Sequence, residues 1–188
     1  MELHLIRHPR PAVTPGTCYG RSDLPLAEPP DVLAKALRRL LPEDFALYAS
    51  PLQRARLLAE ALGTPHIDPR LQEIDFGEWE GRSFAEIGSA IDAWADDPLG
   101  FRAPGGESPR EMATRADEAF SEIRARHDAQ AVVIVAHGGP LRAIAGGLLG
   151  IAPERWLTLD FDCGALTTIR VEPWGNTLRC FNRHPPGV

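Results

Sequence analysis

Apolar and polar positions along the chain switch between a strand-like and a helix-like pattern, and the switching predicts strands interleaved with helices. Residues 2–7 (ELHLIR) form a short apolar run that reads as a buried strand. It stops at His8-Pro9, because proline lacks a ladder donor and constrains its neighbour. A Pro/Gly-rich loop follows to about Pro30, and Asp31 is placed to cap a helix through VLAKALRRLL, which Pro42 ends. Residues 45–49 read as a second strand. Ser50-Pro51 reads as an N-cap with proline at the first helical position, opening the helix LQRARLLAEAL, with Gly63 at its end.

Residues 66–68 fit a short strand, and residues 71–81 an ordered loop rich in acids, aromatics and glycine. Ser83 is placed to cap a helix through Trp94, and a Pro/Gly-rich segment covers residues 98–106. Ser108 opens a long helix to about His127, with Pro109 at its first position and Glu111 completing a capping box. The run AVVIVA (131–136) is the clearest buried strand, and a helix is expected from Gly138 to about Leu149. A hairpin closes the chain: ALTTIRVE, a turn at Pro173-Trp174-Gly175-Asn176, then TLRCFN. The pattern implies a three-layer α/β/α fold, a mainly parallel sheet with helices on both faces and an antiparallel C-terminal edge. A length of 188 residues fits one domain spanning 1–188.

Composition narrows the function classes. The net charge of −6 argues against a nucleic-acid partner. Lys35 is the only lysine, and arginine suits forked recognition of phosphate, although the skew reads first as a matter of composition. Three cysteines (Cys18, Cys163, Cys180) do not make a disulfide framework and fit a reducing compartment. The N-terminus lacks a signal-like apolar stretch, and no run is long enough to cross a membrane. A soluble, cytoplasmic chain without a membrane partner is expected; the sequence says nothing of oligomeric state.

In open α/β sheets, ligands bind at the carboxyl ends of strands. Three charged features fall there: Arg7-His8, Ser50-Pro51-Leu52-Gln53-Arg54, and His137-Gly138-Gly139. Each suits phosphate chemistry. The helix start at Gly138 offers unpaired amides and a positive dipole end. Arg7 and Arg54 provide forks of donors, and a neutral imidazole is a competent nucleophile. Singly, each of these residues is more often an ordinary loop or surface residue; the joint placement on one sheet edge is what raises them to candidates. A cysteine phosphatase needs arginine six residues after its nucleophile, but Leu24, Ile169 and Pro186 stand there. No G-K-[ST] of a P-loop is present. A metal hydrolase using His4, His8 and His137 lacks a compact ligand motif, and His4 reads as a packed strand residue.

Six motifs in order resemble the histidine phosphatase (phosphoglycerate-mutase-like) superfamily. They are Leu5-Ile6-Arg7-His8, the loop Cys18 to Leu26 (CYGRSDLPL), Ser50 to Ala55 (SPLQRA), Leu71 to Gly81 (LQEIDFGEWEG), Pro104 to Ser108 (PGGES), and Ala136 to Arg142 (AHGGPLR). The resemblance implies that His8 attacks phosphorus, that Arg7, Arg54, His137 and Gly138 surround the phosphate, and that Glu73 is the acid and base. The residues alone leave Glu78 and Glu80 as rivals to Glu73. No metal or organic cofactor is implied, and the partner is a small phosphomonoester. Thr14 and Tyr19 stand as candidate loop contacts. Two departures fall in the N-terminal loop: Pro9 replaces the usual glycine and cannot donate an amide, and the segment after Pro25-Leu26 lacks the usual threonine and glycine.

Within the superfamily, the compact length, the CYGRSDLPL loop and the FGEWEG element are most similar to α-ribazole phosphatases, which remove the 5′-phosphate of α-ribazole phosphate in cobalamin assembly. A broad-specificity phosphatase, a mutase-like phosphotransferase and a phosphate-binding regulatory module are the alternatives. Mutases shield the phosphoenzyme under an added segment that this length leaves little room for. Among the aromatics, Phe76 and Trp79 read as packing, whereas Tyr19 and Phe101 stay open as contacts.

Overall fold

The computed structural model describes residues 1–127 and 130–187. Six strands form one sheet: β1 (Glu2–Arg7), β2 (Ala46–Ala49), β3 (His66–Ile67), β4 (Val132–Ala136), β5 (Leu166–Glu172) and β6 (Gly175–Arg183). Their order is β3-β2-β4-β1-β5-β6. Neighbours from β3 to β1 are parallel, and β5 and β6 join antiparallel beyond β1. This is the expected α/β arrangement with its antiparallel edge.

The helices are α1 (Asp31–Arg38), α2 (Gln53–Leu62), α3 (Phe84–Ile87), α4 (Asp92–Asp96), α5 (Pro109–Arg126) and α6 (Gly138–Leu149). Strand β4 shows why the fold is layered. Val132, Ile134 and Ala136 pack against α5 and α6, whereas Val133 and Val135 pack against α1 and α2. A strand covered on both faces must be apolar at every position, which is how VVIVA reads. Strand β1 splits likewise: Leu3 and Leu5 face one layer and Ile6 the other. Each such valine, leucine or isoleucine side chain, fully buried, contributes roughly 1.5–3 kcal/mol.

Several boundaries differ from expectation. Asp31 is not a cap: α1 begins with it, Pro30 holds the cap position, and no side chain caps the helix. Ser50-Pro51 do not open α2, which starts at Gln53; the exposed Asp23 carboxylate receives the Gln53 amide instead, at 2.7 Å. The helix expected from Ser83 to Trp94 has its capping box with Glu86, but breaks at Gly88 (φ 61°) into α3, a 3-10 turn and α4. The closing turn is shorter than four residues, since β6 resumes at Gly175. The capping box at Ser108 and Glu111 is present as expected. Among the described residues no helix is long and apolar enough to cross a membrane.

Candidate active site

Sheet register brings the site together. Arg7 pairs with Ala136 between β1 and β4, and Ala49 with Val135 between β2 and β4. The next residues, His8, His137 and Ser50, therefore leave three adjacent parallel strands at the same carboxyl edge. The His8 amide extends the pairing to the Ala136 carbonyl at 2.9 Å, and the Ser50 amide reaches Val135 at 3.1 Å. The two imidazole centroids lie 5.0 Å apart. Both rings are buried, at 1% and 0% exposure.

The hydrogen bonds fix the tautomer of His8. Its Nδ1 faces the Pro9 carbonyl at 2.6 Å, and a carbonyl only accepts, so Nδ1 carries the proton. Nε2 then holds the lone pair, and Arg54 Nε donates to it at 3.3 Å. Burial, reinforced by the Arg54 charge, pushes the His8 pKa down to about 3. His137 is also held well below the ordinary histidine range, by burial first and then by His8 and the nearby guanidinium groups. Its Nε2 bonds the Ser50 hydroxyl at 2.7 Å. Among the described residues, His137 Nδ1 and Arg7 Nε are buried without a hydrogen-bond partner. Pro9, expected to matter as a missing donor, contributes instead through its carbonyl.

Guanidinium groups frame the imidazoles. Arg54, fully buried, is pinned by Nη1 to the Ser22 carbonyl at 2.6 Å and by Nη2 to that of Gly20. Arg7 Nη1 donates to the Phe161 carbonyl. Arg142, quoted in the sixth motif but not singled out, stands four residues after Gly138 on α6. A Cβ on Gly138 would lie 3.0 Å from Arg142 Nη1 and 3.8 Å from the Arg7 guanidinium carbon. Its helical spacing from Gly138 was the available signal.

The three candidate carboxylates separate by what they touch. Glu80 accepts from the amides of Gly20, Arg21, Ser22 and Phe76 and from the Ser22 hydroxyl. Burial alone raises its pKa, but these bonds outweigh burial and lower it. Glu80 is thus bound up in holding the loop. Glu78 is exposed. Glu73 reaches the N-terminus of α6, accepting from the Gly139 amide at 3.1 and 3.2 Å and from the Ile74 amide at 3.0 Å. A Cβ on Gly139 would sit 2.2 Å from Glu73 Oε1, so glycine is what admits the carboxylate.

The loop candidates divide. The Tyr19 ring stands 5.5 Å from the Arg54 guanidinium carbon. Burial raises its hydroxyl pKa, against the opposing pull of the Arg7 and Arg54 charges. Thr14 is exposed and its carbonyl closes a local turn with the Thr17 amide at 3.2 Å; none of its described contacts reaches the imidazoles. His4 bonds Thr168 at 3.1 Å, and among the described residues no group of three or more His, Cys, Asp or Glu is arranged to hold a metal.

Beyond Glu73, Gly139 and Arg142 opens a cleft of about 130 Å³ with aromatic and aliphatic walls. Phe76, Trp94, Leu99, Met112, Trp156 and Leu157 line it. Phe76, expected only to pack, does both, since it also lies 5.6 Å from Trp94. Phe101 stacks on Trp94 at 5.7 Å and lies tilted against Trp79 at 5.3 Å, outside the lining. The sequence did not single out Trp94 or Trp156, because they converge from separate segments.

The family model for the histidine phosphatase superfamily (branch 1) matches residues 3–184. An adenosylcobalamin/alpha-ribazole phosphatase of Salmonella typhimurium is 33% identical over 97% of the chain and 96% of its own length. Phosphoserine phosphatase 1 of Hydrogenobacter thermophilus is 30% identical over 97% and 92%. The crystal structure of the alpha-ribazole phosphatase from Shigella flexneri superposes with a TM-score of 0.87 at 28% identity, covering 100% and 99% of the two chains.

Proposed function

The chain belongs to the histidine phosphatase superfamily and is a phosphatase of that type, and from that premise we propose that it hydrolyses phosphomonoesters through a phosphohistidine on His8. The carrying observation is the buried, neutral imidazole whose Nδ1 proton is committed to Pro9, leaving the Nε2 lone pair as nucleophile. In this reading Nε2 attacks phosphorus along the line of the departing alcohol. Arg54 shifts its Nε from the lone pair to a phosphate oxygen. Arg7, the Gly138 amide and His137 Nδ1 take the remaining oxygens and stabilise the charge spread over them. Glu73 in its acid form gives its proton to the leaving oxygen. As a carboxylate it then takes a proton from water, whose oxygen attacks phosphorus and releases phosphate and neutral His8.

We further propose an uncharged aromatic leaving group, with α-ribazole 5′-phosphate of cobalamin assembly as the substrate. The cleft past Glu73 supports this choice. Its side chains are mainly apolar, and its charged members are Glu73, Glu154 and Arg142. Arg142 is already engaged with the Leu159 carbonyl at 2.8 Å and Asp160 at 3.3 Å. An amino-acid leaving group such as serine would bring a carboxylate into walls whose guanidinium, Arg142, is already engaged. A flat benzimidazole nucleoside suits Trp94, Trp156 and Phe76. Leu157 at the rim is 60% exposed, so the cleft opens to solvent, which favours water over a second alcohol as acceptor.

The test is to quench turnover of a ³²P-labelled substrate and look for label on the protein that is stable in alkali and lost in acid. His8→Ala should carry no label and no turnover; undiminished turnover in this variant would remove the nucleophile. In parallel, kcat/KM for α-ribazole 5′-phosphate should exceed that for phosphoserine and 3-phosphoglycerate by at least about tenfold. The reverse order would reject the substrate while leaving the phosphohistidine standing.

A further inference from the structure

Helix α5 carries Arg115, whose donors are all committed, to the segment holding Glu73 and to Glu107. Arg115 donates through Nη1 to the carbonyls of Arg70 (2.7 Å) and Gln72 (2.6 Å) and through Nη2 to that of Glu73 (2.9 Å). Its Nε and Nη2 also grip the Glu107 carboxylate at 2.7 and 2.8 Å. Five N–H groups are thereby used. Glu107 in turn accepts from the Asp75 amide at 3.3 Å and from Arg21 at 3.2 Å, and its own amide donates to the Asp75 carbonyl at 2.8 Å. The pair brackets Glu73 from both sides along the chain. Both side chains are largely buried, at 16% and 14% exposure.

Residues 72–76 form neither helix nor strand, so no ladder fixes them. Among the described residues, the Glu73 carboxylate is anchored only by the Gly139 amide and by the amide of the next residue. Where its oxygens lie is therefore decided by where its backbone lies. We propose that Arg115, oriented by Glu107, is a positioning residue for the acid–base step, setting the backbone from which Glu73 meets the leaving oxygen. The proposal rests on the reading of Glu73 as that acid. Lysine cannot replace the planar fork, because a single ammonium does not reach three carbonyls and a carboxylate together.

The experiment compares kcat/KM for an alkyl phosphate and for p-nitrophenyl phosphate. This constant reports the steps up to the phosphohistidine. An alkyl alcohol needs a proton to leave, whereas p-nitrophenolate does not. Arg115→Lys should lower kcat/KM about 10²-fold for the alkyl ester and less than about threefold for p-nitrophenyl phosphate. Equal losses on both esters, or no loss on either, would overturn the proposal. Glu107→Gln, which keeps one carbonyl acceptor, carries the same comparison if the lysine variant does not fold. Glu73→Gln is measured alongside. A leaving-group-independent effect there defeats the acid reading itself. A leaving-group-dependent loss in Glu73→Gln with none in the Arg115 and Glu107 variants defeats the positioning role alone.

Discussion

At the scale of single residues, the site is governed by what surrounds each titratable group. His8 stays neutral in the folded chain down to a pH of about 3, against a reference value of 6.5. Between those values the unfolded chain binds more protons than the folded one, so stability falls as pH drops from about 6.5 towards 3. His137 shifts in the same direction. Urea unfolding at pH 7 and pH 4.5 should therefore show a lower midpoint at the acid value, and His8→Asn should narrow the gap. A gap unchanged by that substitution would locate the proton uptake elsewhere. The same environmental logic separates the glutamates. Glu73 and Glu80 are identical side chains, but Glu80 meets four loop amides and Glu73 meets the start of α6.

At the scale of elements, parallel register does the gathering and close helix contacts shape the cleft. Three strand ends align because β1, β4 and β2 run the same way in a register that brings their last residues level. The cleft wall depends on a glycine in α6. A Cβ on Gly146 would sit 2.2 Å from Trp156 Cδ1 and Nε1, and Trp156 otherwise bonds the Ile151 carbonyl at 3.0 Å. Gly146→Ala should push the indole aside and raise KM for a bulky aromatic leaving group about tenfold, with p-nitrophenyl phosphate nearly unaffected. Steady-state kinetics on the two esters decide it; equal effects would mean that Trp156 does not border the bound substrate. Element types were readable because periodicity is local: β4, α5 and α6 sit where the pattern put them. Ends were less readable. Ser50 resembles a cap by type, yet its hydroxyl is engaged by His137.

At the scale of the molecule, two layers of helices bury a sheet whose carboxyl edge is left to chemistry. The proposed mechanism draws its positive charge from arginine alone. EDTA should accordingly leave turnover unchanged, and a loss restored by added divalent ion would bring a metal into the reaction. The sequence by itself determined the α/β class, the sheet's antiparallel edge and the residues Arg7, His8, Arg54 and His137 as a set. Those follow from short-range periodicity and from chemical type at strand ends, both of which survive in a linear string. Only the tertiary structure decided which glutamate approaches α6, that Arg142 and Tyr19 border the site, that Thr14 does not, and that an apolar cleft and the Arg115–Glu107 pair flank Glu73. Each depends on contacts between residues tens of positions apart, whose distances are set by packing and leave no local period to read.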